Sequence, residues 1–135
     1  MKAVLDTNIV VSGALTAHGP CGQILDLLTQ RAFDLCANDR ILAEYDRVLN
    51  RPSVGIDTDD AEEILELIRS VAQPVSAMPL RVELPHNTDR PFLEVAAAAD
   101  AVLVTGNLRH FPKNACAGVT VVGPMEFLEL LRRAT

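Results

Sequence analysis

Short apolar runs alternate along this chain with longer stretches in which apolar residues recur at helical spacing. Strands that alternate with helices pack as a mostly parallel sheet joined by right-handed crossovers. Strands without polar positions are expected where helices cover both faces of the sheet. The pattern predicts an α/β fold, a three-layer α/β/α sandwich with four to five strands, and one domain over residues 1–135. The predicted strands are 3–5, 33–37, 101–104 and 119–122, with a weaker one around Val82.

Residues that typically begin helices, followed by apolar residues at helical spacing, predict where the helices lie. They are predicted to begin near Ile9, Cys21, Asn38 or Asp39, Thr58, Thr88–Asp89 and Pro124. In the last of them, Met125, Leu128 and Leu131 are predicted to face the core.

Composition limits how such a domain contacts other molecules. The chain has four Phe, one Tyr and no Trp, which argues against the stacking platforms of single-strand binders. Its net charge of −6 argues against a protein that binds nucleic acid through its overall charge. That charge remains compatible with bound metal ions, a local basic strip or a basic partner.

No apolar run approaches the roughly 18 residues needed to span a bilayer, and the N-terminal residues do not resemble a signal peptide. A cytoplasmic protein without membrane contact is therefore expected. Cys21, Cys36 and Cys116 are widely spaced and predicted to be small buried side chains. His18, His86 and His110 match no zinc motif, and we expect them to be loop residues rather than ligands.

Polar residues follow two of the predicted strands, as Asp6-Thr7-Asn8 and Thr105-Gly106-Asn107. Ligands of open α/β sheets bind at the carboxyl ends of the strands. A buried carboxylate at Asp6 needs a positive partner. No Lys or Arg is nearby in sequence, so a divalent cation is one candidate; the alternative is that Asp6 caps the following helix.

Three further candidates have similar alternatives. Glu44 flanks its helix's apolar stripe, so it is either partly shielded for a site or a surface acid. Asp89 begins a helix, where acids are favoured by the helix dipole. Asn107 is a ligand, a substrate contact or a turn residue. Glu94, on the same helix as Asp89, is assigned a structural role.

Basic residues cluster in two places. Arg40, Arg47 and Arg51 lie on one helix and its end, and Arg109 and Lys113 follow Asn107. They form either a rim that contacts phosphates or ordinary solvated charge.

The order of these features is more specific than any of them alone: strand-Asp, helix-Glu, helix-start Asp and strand-Thr-Gly-Asn. In this order the chain resembles the PIN-domain family, including VapC-like toxins of toxin–antitoxin pairs. The resemblance runs from residue 1 to about residue 125. Its segments are Val4-Leu5-Asp6-Thr7-Asn8, Ile41-Leu42-Ala43-Glu44-Tyr45, Asp89-Arg90-Pro91-Phe92-Leu93-Glu94 and Leu103-Val104-Thr105-Gly106-Asn107.

The resemblance implies an endoribonuclease that depends on Mg²⁺ or Mn²⁺, held by Asp6 and Asp89, with Glu44 binding directly or through water. Asn107 takes the fourth place, where the family often has Asp, and a neutral amide weakens affinity for a second cation. Asn8 and Thr105 are expected to orient the acids, and Arg40, Arg47 and Arg109 to contact the RNA. The family also implies an antitoxin partner and a homodimer.

Two other classes of function remain open from the residues. One is a catalytically silent PIN-like module that binds RNA or a protein, which Asn107 and the acidic surface favour. The other is a phosphate-handling domain, either a response-regulator receiver or a haloacid-dehalogenase-like phosphatase. The phosphatase needs Asp-x-Asp after the first strand, and the receiver needs a Lys that ends a later strand; this chain has neither. It also has no glycine-rich phosphate loop.

Overall fold

Five parallel strands and six α-helices make up residues 1–134, which are the residues described in this computed structural model. The strands are β1 (Lys2–Leu5), β2 (Asp34–Ala37), β3 (Gln73–Pro74), β4 (Val102–Val104) and β5 (Val121–Val122). The helices are α1 (Thr7–Leu15), α2 (Pro20–Thr29), α3 (Asp39–Leu49), α4 (Thr58–Val71), α5 (Arg90–Ala99) and α6 (Pro124–Ala134). The strands are ordered β3-β2-β1-β4-β5.

The central strand shows why the sheet has two helical layers. Ala3, Val4 and Leu5 of β1 are all fully buried, although successive side chains of a strand point to opposite faces. Helices therefore cover both faces, and the predicted three-layer α/β/α sandwich is confirmed. Helix α5, rich in small residues, packs against β1, β2 and β4.

Strand register brings the two polar segments together. Ala3 pairs with Val102 and Leu5 pairs with Val104, so the residues after these strands, Asp6 and Thr105, emerge side by side. The backbone N–H of Asp6 donates to the carbonyl of Val104 at 2.9 Å and extends the pairing by one residue. The carboxyl edge of the sheet is thus the place where the site residues meet.

Two predicted helix starts are confirmed. Asn38 caps α3, because its side-chain oxygen accepts a hydrogen bond from the N–H of Ile41 at 3.0 Å. Helix α4 begins at Thr58, and the preceding residue Asp57 caps it by accepting from Asp59.

The predicted strand around Val82 is wrong. The segment from 75 to 86 has no regular structure, and the short strand β3 lies just before it. Side chains of α5 hold this segment instead of a strand partner: Arg90 donates to the Val82 carbonyl at 2.6 Å, and Glu94 accepts from the N–H of Leu80 at 2.8 Å. Glu94 therefore has the structural role that the sequence analysis assigned to it.

Two smaller predictions also fail. The sequence predicts Thr88 as the cap of a helix that begins near Asp89. Instead, residues Asn87–Asp89 form a short 3₁₀ turn without a side-chain cap, and α5 begins at Arg90. Met125 is 66% exposed rather than facing the core. It lies about 200° around the helix from buried Phe127, because successive residues are about 100° apart.

Each cysteine is buried and unpaired, as expected. In the part of the chain that the structure describes, no helix combines the length and apolar character required to cross a membrane.

Candidate functional site

Asp6 is the most enclosed acid at the carboxyl edge of the sheet, with 5% of its surface exposed. One carboxylate oxygen, Oδ1, accepts from the N–H of Thr7 at 2.8 Å and so caps α1. The other, Oδ2, accepts from the Thr105 hydroxyl at 2.7 Å and from the Asn8 amide at 3.3 Å. The prediction that Asp6 caps the following helix is confirmed, and its other carboxylate oxygen belongs to a polar cluster.

The segments after β1 and β4 are joined through the partners of Asp6. The Thr105 hydroxyl also accepts from the N–H of Asn107 at 3.0 Å. The Asn8 side-chain oxygen accepts from the N–H of Gly106 at 3.1 Å. The structure therefore places Asn8 and Thr105 where they fix the orientation of the Asp6 carboxylate.

Glu44 reaches the same edge from α3. Its Oε2 accepts a hydrogen bond from the Thr7 hydroxyl, and its Oε1 lies 3.5 Å from the Arg47 guanidinium. The next residue, fully buried Tyr45, donates its hydroxyl to the carbonyl of Leu5 and so anchors α3 to the end of β1.

Asp89 enters from the start of α5 with 8% of its surface exposed. Its enclosed Oδ2 lies 2.9 Å from Nδ1 of His110. The His86 ring packs against His110, with 4.1 Å between the ring centres. His86 and His110 lie outside the α-helices and strands, as predicted, and the structure brings both of them next to Asp89. The one sequence signal was that His110 follows Asn107 by three residues.

The three acids act on one another electrostatically. Burial raises the pKa of Asp6, and the negative charges of Asp89 and Glu44 raise it further, against hydrogen bonds from Thr105 and Thr7 that lower it. Burial also raises the pKa of Asp89; His110 and His86 oppose this rise, and Glu44 adds to it. Residues far apart in sequence thus share one region of negative potential.

This region fits a divalent cation, although not as a preformed cage. No basic side chain within residues 1–134 is paired with Asp6, and no described residue donates a hydrogen bond to Oδ1 of Asp89. Carboxylate oxygens are the ligands that Mg²⁺ and Mn²⁺ favour. As they stand, however, no three His, Cys, Asp or Glu side chains of the described residues are grouped tightly enough to hold a metal. Glu44 is turned towards Thr7 and Arg47.

The basic residues that the sequence offers as phosphate contacts are all exposed, and two of them lie beside Glu44. Arg40 and Arg47 line a cleft of about 440 Å³ together with Glu44, Thr88 and Phe92. Arg109, Arg51, Lys113 and Asn107 are all exposed. The Asn107 side chain makes no hydrogen bond with any described residue, so its amide is available to a ligand.

Comparison with known families agrees with this geometry. A family model described as the PIN domain matches residues 2–109. The chain belongs to the PIN-domain family. PIN-domain proteins are generally nucleases, and the matched range contains Asp6, Glu44, Asp89 and Asn107. No curated protein sequence matches the chain.

Solved structures share the PIN fold at low sequence identity. VapBC2 from Rickettsia felis, bound to a DNA fragment from its promoter, is similar with a TM-score of 0.60 and 20% identity over 91% of this chain and 98% of that one. FitAcB from Neisseria gonorrhoeae has a TM-score of 0.57 and 19% identity over 91% and 98%. FitAB bound to the IR36 DNA fragment has a TM-score of 0.59 and 19% identity over 90% and 94%. At this identity, the likeness shows the fold alone.

Proposed function

We propose that this PIN-domain protein is a metal-dependent endoribonuclease that uses Asp6, Glu44 and Asp89 to hold Mg²⁺ or Mn²⁺. The observation that carries the proposal is that two buried acids, Asp6 and Asp89, meet Glu44 at the carboxyl edge of the sheet, where their charges act on one another. Keeping like charges together out of water is costly unless a cation binds them. A bound cation would offset this electrostatic cost and would also serve the metal-assisted cleavage of a phosphodiester.

Each residue has a distinct part in the proposed reaction. The cation supplies charge neutralisation at the scissile phosphate and a more acidic bound water. Thr105 and Asn8 hold the Asp6 carboxylate in one orientation. Asn107 offers an uncharged amide to the substrate or to water, which favours one cation over two. The expected product carries a 5′-phosphate.

We assign RNA binding to the cleft that Arg40 and Arg47 line. Arg40 and Arg47 line the cleft beside Glu44, and both are exposed. When a phosphate enters this cleft, Arg47 has an alternative partner to Glu44, which releases that carboxylate for the cation. Arg109, two residues after Asn107 and exposed, would contact the RNA next to that amide.

We also propose that this nuclease is the toxin of a toxin–antitoxin pair. Each of the three similar structures has a name that joins two components, as in VapBC2 and FitAB. Two of the structures are described as bound to DNA fragments. A net charge of −6 suits a basic partner protein. The homodimer and the cytoplasmic location stay predictions.

One observation favours a catalytically silent binding module as the second candidate. Glu44 has a hydrogen-bond partner in Thr7 and an ionic partner in Arg47, so two of its interactions are satisfied without metal. Such a module would bind RNA or a partner without cleaving it.

Cleavage of a defined RNA separates the two candidates. Purified protein should cut the RNA in Mg²⁺ or Mn²⁺ and stop in EDTA, and Asp6→Asn should abolish cutting while circular dichroism stays unchanged. Asp26→Asn, an exposed acid on α2, is the matched control and should cut like wild type. Equal cutting by wild type and Asp6→Asn would refute the proposed site; RNA binding without cutting by the wild type would favour the silent module.

A further inference from the structure

We infer that His110 is a positioning residue that orients the Asp89 carboxylate, and that His86 supports it by ring packing. This inference rests on the proposed function, since it concerns the same carboxylate site. It adds a pair of histidines that the comparisons do not assign.

The three acids differ in how their carboxylates are held. Asp6 accepts hydrogen bonds from Thr105 and Asn8, and Glu44 accepts one from Thr7. The Asp89 side chain does not cap α5. Its one close polar neighbour is Nδ1 of His110, at 2.9 Å. His110 is therefore the single group that sets the direction of this carboxylate.

Contact with one oxygen leaves the other available. His110 meets Oδ2, the oxygen that is enclosed by protein. No hydrogen bond to Oδ1 exists within residues 1–134, so Oδ1 is the oxygen that can bind a ligand. A group that orients a carboxylate through its non-binding oxygen improves metal affinity because less freedom is lost on binding.

Backbone hydrogen bonds place both rings. The N–H of His110 donates to the carbonyl of Asn107 at 2.9 Å, which fixes His110 relative to the end of β4. The N–H of Asp89 donates to the carbonyl of His86 at 3.1 Å, which fixes His86 relative to Asp89. With 4.1 Å between the ring centres, the His86 ring limits the movement of the His110 ring.

Mn²⁺ binding to the RNA-free protein tests the inference directly. His110→Ala should weaken Mn²⁺ binding by about tenfold, in the range typical of groups that orient metal ligands, in an isothermal titration. His110→Asn keeps a nitrogen donor close to the Nδ1 position and should bind within about threefold of wild type. His18→Ala, an exposed histidine between α1 and α2, is the matched control and should bind like wild type.

The supporting role of His86 is tested by ring replacement. His86→Ala should weaken Mn²⁺ binding, and His86→Phe, which keeps a ring against His110, should restore it. In RNA cleavage at saturating Mn²⁺, the His110→Ala protein should lose kcat more than it changes KM, because Asp89 acts on the metal rather than on RNA binding.

The outcomes separate this inference from the proposed function. Unchanged or tighter Mn²⁺ binding by His110→Ala, at an unchanged melting temperature, would overturn the positioning role. A loss that His110→Asn fails to rescue would also overturn it. If wild type binds Mn²⁺ but cuts no RNA, the nuclease proposal fails, and the Mn²⁺ comparison still decides the role of His110.

Discussion

The Asp6 side chain combines two roles at the scale of a single residue. It caps α1 through one oxygen and takes part in the polar cluster through the other. A cap alone does not require burial next to two other acids. The burial is therefore a feature of the site, and it should carry a measurable stability cost in the absence of metal.

Replacing Asp6 by Asn should raise the free energy of unfolding of the metal-free protein at neutral pH. Because the folded-state pKa of Asp6 is raised above its usual value near 3.8, the folded protein holds the proton more strongly than the unfolded chain. Stability therefore falls as the pH rises through the window above 3.8, and Asn removes this loss. Urea denaturation of both proteins at several pH values measures this pH dependence of the free energy of unfolding. A variant less stable than wild type at pH 7 would contradict the assigned electrostatic cost.

Asn107→Asp should tighten Mn²⁺ binding and add affinity for a second ion. The amide of Asn107 is exposed and unbonded within the described chain, so a carboxylate there adds charge without breaking a contact. Isothermal titration gives affinity and stoichiometry, with exposed Asn114→Asp as the control. An affinity equal to that of the control would place residue 107 outside the site.

Sequence indicated the residues at strand ends but missed the histidines. Asp6, Asn8 and Thr105 follow apolar runs directly, so the rule for strand ends located them. His110 and His86 have no ligand-like spacing, and they meet because the 75–86 segment returns to the start of α5. Such a contact depends on the path of an irregular segment, which periodicity does not encode.

At the scale of the elements, helix α5 and the segment before it show which parts of the structure a sequence pattern predicts and which it does not. The helix was predicted from its alanine-rich run. The sequence predicts a weaker strand around Val82 within the 75–86 segment, which has little pattern. Its conformation depends on side chains eight and fourteen residues away, Arg90 and Glu94, and not on a local pattern.

Glu94→Ala should loosen this segment. Leu80 would lose the acceptor for its N–H, and the loss of a hydrogen bond to a buried charged group costs roughly 1–3 kcal/mol of unfolding free energy. Limited proteolysis should cut the 75–86 segment faster than in wild type. Glu83→Ala, an exposed acid in the same segment, is the control; equal proteolysis of the two variants would show that Glu94 does not hold the segment.

For the molecule as a whole, the sheet order makes the site possible. Strand β1 lies between β2 and β4, and all pairs are parallel. The ends of β1 and β4 therefore meet, and α3, which follows β2, brings Glu44 to them. The fold class was predictable from alternating elements, whereas the strand order was not, because it depends on crossovers between segments distant in sequence.

Divalent cation should stabilise the whole protein. Binding to the folded state alone raises stability by mass action, by about 2.7 kcal/mol at a concentration 100 times the Kd. Adding Mn²⁺ at pH 7 should raise the melting temperature of wild type and leave that of Asp6→Asn nearly unchanged. Equal shifts in both proteins would mean that the cation binds elsewhere.

The most direct measurement is anomalous diffraction from crystals of the wild-type protein soaked in Mn²⁺. The account predicts one peak between the Asp6 and Asp89 carboxylates, with metal–oxygen distances of about 2.0–2.6 Å, the range for hard cations. Glu44 should bind it directly or through one water. A peak distant from both aspartates, or no peak at a concentration that saturates binding in solution, would contradict the shared cation site.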